Sequence, residues 1–330
     1  MNETPGRNLG LDLVRVTEAA ALAAARWVGR GDKEAGDGAA VEAMRLVLAT
    51  AELDGVVVIG EGAKDRAPML YNGEAVGSGR GRQVDVAVDP VEGTSLLARG
   101  APDAISVVGV APRGTMWSPG PAYYMDKLVV GPAAAPSLRP EMLDAPMADM
   151  LSMVAGAVGR SVGELTVFVL DKPRHQERIA MIRAAGARVL LRTDGDVAGA
   201  LMAAREGSGV DLLTGIGGTP EGVISACAVQ ALGGAMLGRL APQSAEEADA
   251  VRDAGMDVAR ILTANDLVAS DDVFFAATGI TDGVLLPGVR YTRGGATTSS
   301  LLMRGRSGTI RTVTAEHRWD KLRALSAVEY

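Results

Sequence analysis

The sequence predicts an α/β protein of two lobes, and three observations predict it. Short β-branched and aliphatic runs alternate with segments of helical period. The 42 glycines cluster in short loops between apolar runs, which favours α/β architecture over a disordered chain. Three strand–loop–helix units follow one another between residues 165 and 232, and such a succession implies a parallel or mostly parallel sheet. At 330 residues the chain can form one large domain or two lobes with separate cores.

The elements follow in order. Residues 11–30 read as a helix, with Val14, Val16, Ala20 and Ala24 at helical spacing. Gly29-Arg30-Gly31 stops it. A second helix is expected from Gly38 to Leu53, with Val41, Met44, Leu46 and Val47 on its apolar face. Residues 55–60, 84–88, 105–110 and 127–130 read as strands. The Ala- and Pro-rich stretch 131–147 marks the expected lobe boundary, giving lobes 1–150 and 151–330. In the second lobe, strands at 165–170, 188–191 and 210–213 each lead into a polar loop and then a helix. Those loops are Lys172-Pro173-Arg174-His175, Asp194-Gly195-Asp196 and Gly215 to Gly222. Ligands of such sheets bind beyond the carboxyl ends of the strands, where all three loops lie. Two further strands are expected at 273–278 and 309–313.

Bulk properties exclude several function classes. The hydrophobic fraction is 48% and the charged fraction 22%, as in soluble globular proteins. A net charge of −7 argues against nucleic acid as a partner. One cysteine, Cys227, allows no intrachain disulfide and favours the cytoplasm; in its apolar helical run it reads as a buried structural thiol. Two histidines, His175 and His317, cannot make a histidine-rich zinc site. No signal peptide is expected. The longest uncharged run, Gly222 to Gly238, reads as a buried helix and not a membrane span. No glycine precedes a lysine, so there is no Walker A sequence. Gly77-Ser78-Gly79-Arg80-Gly81 precedes a strand instead of following one, which discounts a dinucleotide fingerprint.

The chemistry concentrates in Asp89-Pro90-Val91-Glu92-Gly93-Thr94. It directly follows an apolar strand. Pro90 is expected to end normal strand pairing, Gly93 allows a tight path, and Thr94 could cap the next helix. Two carboxylates three residues apart on a rigid turn can share a hard cation such as Mg²⁺ or Mn²⁺. A solvated acidic cap is the alternative. Glu61, in Gly60-Glu61-Gly62, also follows a buried strand, and two acidic strand ends strengthen the metal reading. Asp32, Lys33 and Asp37 form a third polar cluster; capping alone accounts for Asp37, with ligand duty as the alternative. Lys172 and Arg174 offer two cations beside a helix start. Asp194 and Asp196 either cap a helix or accept hydrogen bonds from sugar hydroxyls. The glycines of 215–222 could cradle a phosphate through backbone N–H groups, and Glu221 is either a cap or a ligand.

Taken together the motifs resemble the class II fructose-1,6-bisphosphatases, including the fructose-1,6-/sedoheptulose-1,7-bisphosphatases, within the lithium-sensitive, inositol-monophosphatase-like phosphatases. The landmarks are R-V-T-E-A-A-A-L-A-A at 15–24, G-R-G-D-K at 29–33, D-G-V-V-V-I-G-E-G at 54–62, A-P-M-L-Y at 67–71 and D-P-V-E-G-T at 89–94. Y-M-D-K at 124–127, K-P-R-H at 172–175, D-G-D at 194–196 and G-I-G-G-T-P-E-G at 215–222 complete them. The resemblance implies a layered α-β-α-β-α fold, with the first lobe binding metal and the second binding substrate and phosphate. It implies metal ligation by Asp37, Glu61, Asp89, Glu92 and Glu221. It implies catalysis by Thr94 with Glu61, and substrate contacts from Glu92, Gly93, Thr94, Tyr124, Lys172, Arg174, Asp194, Asp196 and Gly218. Lys33 would help neutralise the metal cluster. Arg66 and Ala63 depart from acidic residues common in the family.

The expected reaction is metal-dependent hydrolysis of the C1 phosphate of fructose 1,6-bisphosphate, with sedoheptulose 1,7-bisphosphate as a further substrate. The other phosphate would anchor on Lys172 and Arg174. An inositol- or nucleotide-type monophosphatase and a non-catalytic sugar-phosphate sensor are the competing readings. The resemblance also implies a homodimer or homotetramer. Neither nucleic acid nor membrane is an expected partner.

Overall fold

Alanine sets the character of the first helix, α1 (Leu9–Ala24). It is buried on almost every side, as an apolar-all-round helix must be. Its two buried polar residues are satisfied by strands. Thr17 Oγ1 lies 2.7 Å from Thr278 Oγ1, and Glu18 accepts a hydrogen bond from Thr298 at 2.9 Å. These details come from a computed structural model that describes residues 9–62, 69–325 and 328. Ala63, Arg66 and the start of the motif at 67–71 lie outside the described residues.

The chain continues through α2 (Lys33–Leu48), β1 (Leu53–Ile59), β2 (Ala75–Val76), β3 (Arg82–Glu92), α3 (Thr94–Arg99) and β4 (Ile105–Pro112). Next come β5 (Tyr124–Val130), α4 (Met147–Val158), β6 (Thr166–Leu170), α5 (Gln176–Ala184), β7 (Arg188–Arg192), α6 (Asp196–Ala204), β8 (Leu212–Gly218) and α7 (Thr219–Leu232). Then follow β9 (Ala235–Leu240), α8 (Ala245–Asp253), β10 (Leu262–Thr263), α9 (Ala264–Leu267), β11 (Phe274–Gly279), β12 (Arg290–Thr292), β13 (Gly295–Arg304), β14 (Thr309–Arg318) and α10 (Trp319–Leu325).

Two compact units result. Residues 1–114 and 272–330 make the first, and 115–271 the second. The lobe boundary expected near residue 150 differs from this division, because residue 150 falls inside α4. The Ala- and Pro-rich stretch lies wholly in the second unit, since β5 just before it pairs with β8 and β9.

The first unit's sheet has the order β12-β13-β11-β4-β3-β1-β2, with β14 on the free side of β13. Only β1 and β3 run parallel; the other pairings are antiparallel. Leu13, Val16, Met44, Leu48, Leu53, Val57 and Val86 join helices and sheet in one core. Strand β3 does not stop at Pro90. Asp89 stands opposite Val107 and Glu92 opposite Ile105, so three steps on β3 match two on β4. The extra residue is a bulge, which accommodates a proline with no N–H to give.

The second unit's sheet has the order β10-β9-β5-β8-β6-β7. β6, β7 and β8 are parallel, as the strand–helix rhythm requires. β5, β9 and β10 join antiparallel, so the sheet is mixed and not mostly parallel. Gly215 to Gly218 belong to β8 itself instead of a loop. The apolar run 222–238 is not one helix: α7 ends at Leu232, with Gly233 left-handed at φ 75°, and β9 follows. Cys227 is buried in α7, and burial pushes its thiol up to about 12, the inert state expected of it. Among the described residues no helix is long and apolar enough to cross a membrane.

Packing in the second unit is close at α6. Gly199 faces the fully buried ring of Phe168, and a Cβ there would overlap the ring edge. Gly199→Ala should therefore cost about 1–3 kcal/mol of stability through overpacking, read as a lowered urea midpoint. An unchanged midpoint would show that the ring has room to yield.

Candidate active site

Strand direction decides where the first unit's acids gather. Because β1 and β3 are parallel, Glu61 after one and Asp89 and Glu92 at the end of the other share one sheet edge. The turn after β1 is fixed by backbone. Gly60 N–H donates to Asn72 Oδ1 at 3.0 Å, and Glu61 N–H donates to the Leu70 carbonyl at 3.0 Å. In the bulge, Asp89 Oδ1 accepts from Val91 N–H at 3.1 Å. Asp89 is half-buried and Glu92 buried. Gly93, at φ 90°, is the residue that opens α3. Thr94 is not its cap; it is the first helical residue, half-buried.

Asp37 reaches this neighbourhood through α2. Asp32, not Asp37, caps that helix, accepting from Ala35 N–H at 3.0 Å. Asp37 stands on the second turn, where it is free for other duty. The first turn of α2 docks on α3: Gly36 leaves no space for a Cβ beside Leu97. Gly29 and Gly31 N–H groups donate to the Leu97 and Ala98 carbonyls, each at 2.9 Å. Burial and then Glu34 push the Asp37 carboxyl up to about 6, against the pull of Lys33. Lys33 itself is exposed and pairs with Glu34 at 3.5 Å.

In the second unit strand polarity likewise collects four segments. The carboxyl ends of parallel β6, β7 and β8 lead to Lys172 and Arg174, to Asp194 and Asp196, and to Glu221. β5 is antiparallel to β8, so its first residue, Tyr124, stands opposite Gly218 at that edge. Arg174 is held in place by two contacts. Its Nε and Nη2 donate to the Ile216 carbonyl at 3.1 and 2.8 Å, and its guanidinium lies 5.2 Å from the centre of the Tyr124 ring, within cation–π range. Lys172 is half-buried and Asp194 half-buried, with Asp194 Oδ1 accepting from Gly195 N–H at 3.2 Å. Asp196 is the first residue of α6 behind left-handed Gly195.

Lys127 is the residue at the centre of this group that sequence reasoning passed over. Its ammonium is buried, ion-paired with Asp196, and donates to the Gly218 carbonyl at 2.8 Å. Asp126 and Lys127 side by side at the head of the apolar run 128–130 were the signal that could have found it. Behind it, Arg178 holds Asp126 in a two-bond fork at 2.6 and 2.8 Å, tying α5 to β5. Glu221 is pushed up to about 7, chiefly by burial and next by Asp196, with Lys127 opposing. Its Oε2 is buried without a hydrogen-bond partner.

The expected metal ligands thus fall as Asp37, Glu61, Asp89 and Glu92 in the first unit and Glu221 in the second. Among the described residues, no three His, Cys, Asp or Glu side chains stand close enough together to hold a metal ion.

Comparison with known proteins agrees with the motifs. Residues 7–317 match the family model described as bacterial fructose-1,6-bisphosphatase, glpX-encoded. The chain is 45% identical over 328 residues to fructose-1,6-bisphosphatase 1 class 2 of Escherichia coli strain K12, covering 96% of each chain. Class 2 fructose-1,6-bisphosphatases of Escherichia coli O6:H1 and Shigella flexneri match with the same identity and coverage. A match that runs through nearly the whole chain, and through every motif described above, assigns the chain to the glpX-encoded class II fructose-1,6-bisphosphatase family.

Proposed function

We infer that this chain hydrolyses fructose 1,6-bisphosphate to fructose 6-phosphate and inorganic phosphate, with sedoheptulose 1,7-bisphosphate as a further substrate. The observation that carries the reading is the 45% identity to a bisphosphatase across 96% of the chain. The residues supply a consistent chemistry. Thr94 would orient the attacking water, its hydroxyl donating to a carboxylate, for which Glu61 is the candidate, and accepting from the water. A hydroxyl is a weak base, so Thr94 acts by orientation. Water attacks the C1 phosphorus, the bond to the sugar oxygen breaks, and the sugar leaves with a proton. Lys172 and Arg174 would hold the remote phosphate, so that binding energy there positions the reacting end. Tyr124, Asp194, Asp196 and Gly218, with Glu92 and Gly93, are assigned to the sugar and phosphate oxygens.

Phosphatases of this family generally depend on a divalent metal. The residues fit such an ion in donor chemistry and in charge. In the first unit Asp37, Glu61, Asp89 and Glu92, and in the second Glu221, offer only hard oxygen donors, which suit Mg²⁺ or Mn²⁺. Glu221 has a buried oxygen without a partner, and burial first, then neighbouring acids, disfavours the charged forms of Glu221 and of Asp37, a condition that a cation beside either would relieve. A divalent ion held by such carboxylates would supply neutralisation of phosphoryl charge and acidification of a water. Residence in the cytoplasm and assembly into a homodimer or homotetramer complete the reading.

Three outcomes test it. Phosphate should be released from fructose 1,6-bisphosphate with Mg²⁺ or Mn²⁺ and lost on chelation; metal-independent release, or none, would remove the proposed mechanism. Thr94→Ala should lower kcat by about 10²-fold or more with little change in KM, and a retained kcat would take Thr94 out of the reaction. The third concerns metal-free protein. A glutamate whose folded pKa is raised contributes stability that is full below its unfolded value near 4.5 and is lost as pH rises through about 7. In chelator, stability relative to the Glu221→Gln variant should therefore fall between pH 5 and 7, seen as diverging melting temperatures. Parallel melting curves would show that Glu221 already has a partner for its charge.

A further inference from the structure

The reaction as drawn makes no use of His175, although it is almost completely buried, 1% exposed. Both its ring nitrogens are committed to backbone. Nδ1 lies 2.7 Å from the Leu170 carbonyl oxygen, which can only accept, so Nδ1 carries the proton. Nε2 lies 2.8 Å from the Ile216 amide nitrogen, which can only donate, so Nε2 is the bare acceptor. The ring is held as one neutral tautomer. Burial, with Arg174 and Arg178 nearby, holds its pKa below the ordinary histidine value against the opposing pull of the Leu170 carbonyl and Asp126.

Ile216 is gripped from two sides by consecutive residues. His175 takes its N–H, and Arg174 takes its C=O through two bonds. Gly215 makes the approach possible. Its φ is +143°, and a Cβ there would stand 3.1 Å from Nε2. The imidazole therefore joins the carboxyl end of β6, through Leu170, to that of β8, through Ile216. The turn between them, Lys172-Pro173-Arg174, is pinned at both ends of its reach.

We propose that His175 is a positioning residue for the remote phosphate. Its two backbone bonds fix the Lys172–Arg174 turn against β8, so that both cations are preorganised where that phosphate binds. Without it the turn and the Ile216 peptide lose their registration, and the cations must be ordered at the expense of substrate affinity. The effect falls on binding of the bisphosphate and not on the chemistry at C1. This rests on the reading that Lys172 and Arg174 hold the remote phosphate.

The test compares Arg174→Ala, His175→Asn and His175→Gln in the full-length, metal-supplied enzyme with fructose 1,6-bisphosphate as substrate. Asn keeps a donor for Leu170 but is too short to reach the Ile216 N–H, whereas Gln places an acceptor near the Nε2 position. Expected are about tenfold rises in KM for Arg174→Ala and His175→Asn, with kcat changed far less, and partial return towards the native KM in His175→Gln. If Arg174→Ala raises KM and neither His175 variant does, the positioning role is overturned while the anchor reading stands. Should Arg174→Ala leave KM unchanged, the anchor reading fails first and the inference with it. Variants of His175 that fail to fold, or that lower kcat with KM unchanged, would assign it a purely structural or a different role and equally overturn the proposal.

Discussion

The second unit is organised around a length of strand that has almost no side chains. In β8, Gly215 gives way to the His175 imidazole, Gly217 to the Asp196 carboxylate and the Lys127 ammonium, and Gly218 to Glu221. A Cβ at the last two positions would occupy the space those charged groups fill. The strand still pairs with β5 along its whole length, because its hydrogen bonds need only backbone. The glycines therefore do two things together: they keep the sheet continuous and they leave room beside it for polar groups from β5, the turn before α5, α6 and α7.

That convergence creates an electrostatic problem, and its resolution is partial. Taking Lys127 and Asp196 out of water is costly and is offset only by close mutual contact and further hydrogen bonds. Asp196 has the ammonium, and Lys127 also has the Gly218 carbonyl. Glu221 is buried out of water and is also left with more neighbouring acid than base, so burial first and Asp196 second make its carboxyl hold its proton unusually tightly. Removing Lys127 would worsen the imbalance, since it is the group opposing the rise. The first unit shows the same imbalance at Asp37, where burial and then Glu34 outweigh Lys33. Both are conditions a divalent cation would relieve.

Rigid backbone carries the acids in the first unit. The bulge at Pro90 shifts the β3 register by one residue relative to β4, and Gly93 in the left-handed region then turns the chain directly into α3. A regular strand would have sent Asp89 and Glu92 to alternating faces with no turn to follow. The loop before α2 is bonded to the C-terminal carbonyls of α3, so α2 and its Asp37 are located by the helix that Thr94 begins. Position here is set by backbone hydrogen bonds and close glycine contacts instead of by long side chains.

By itself the sequence determined the fold class, most strands and the acidic and basic segments that lie at strand ends. These are local properties: β-branched runs, helical periodicity, and Asp89, Glu92, Lys172 or Glu221 standing just beyond an apolar stretch. It also carried the family, because ordered motifs survive as text. Only the tertiary structure decided which distant segments share an edge. Tyr124 belongs beside Gly218 because β5 runs antiparallel to β8, and no spacing rule encodes strand polarity. The extension of β3 through Pro90 and of β8 through its glycines was illegible for a related reason: pairing partners override residues that by propensity leave a strand. Lys127 and His175 were hidden because burial and partner choice are properties of packing. A lysine in a strand and a histidine after a turn look ordinary until the backbone carbonyl, the amide and the carboxylate that claim them are brought together in three dimensions.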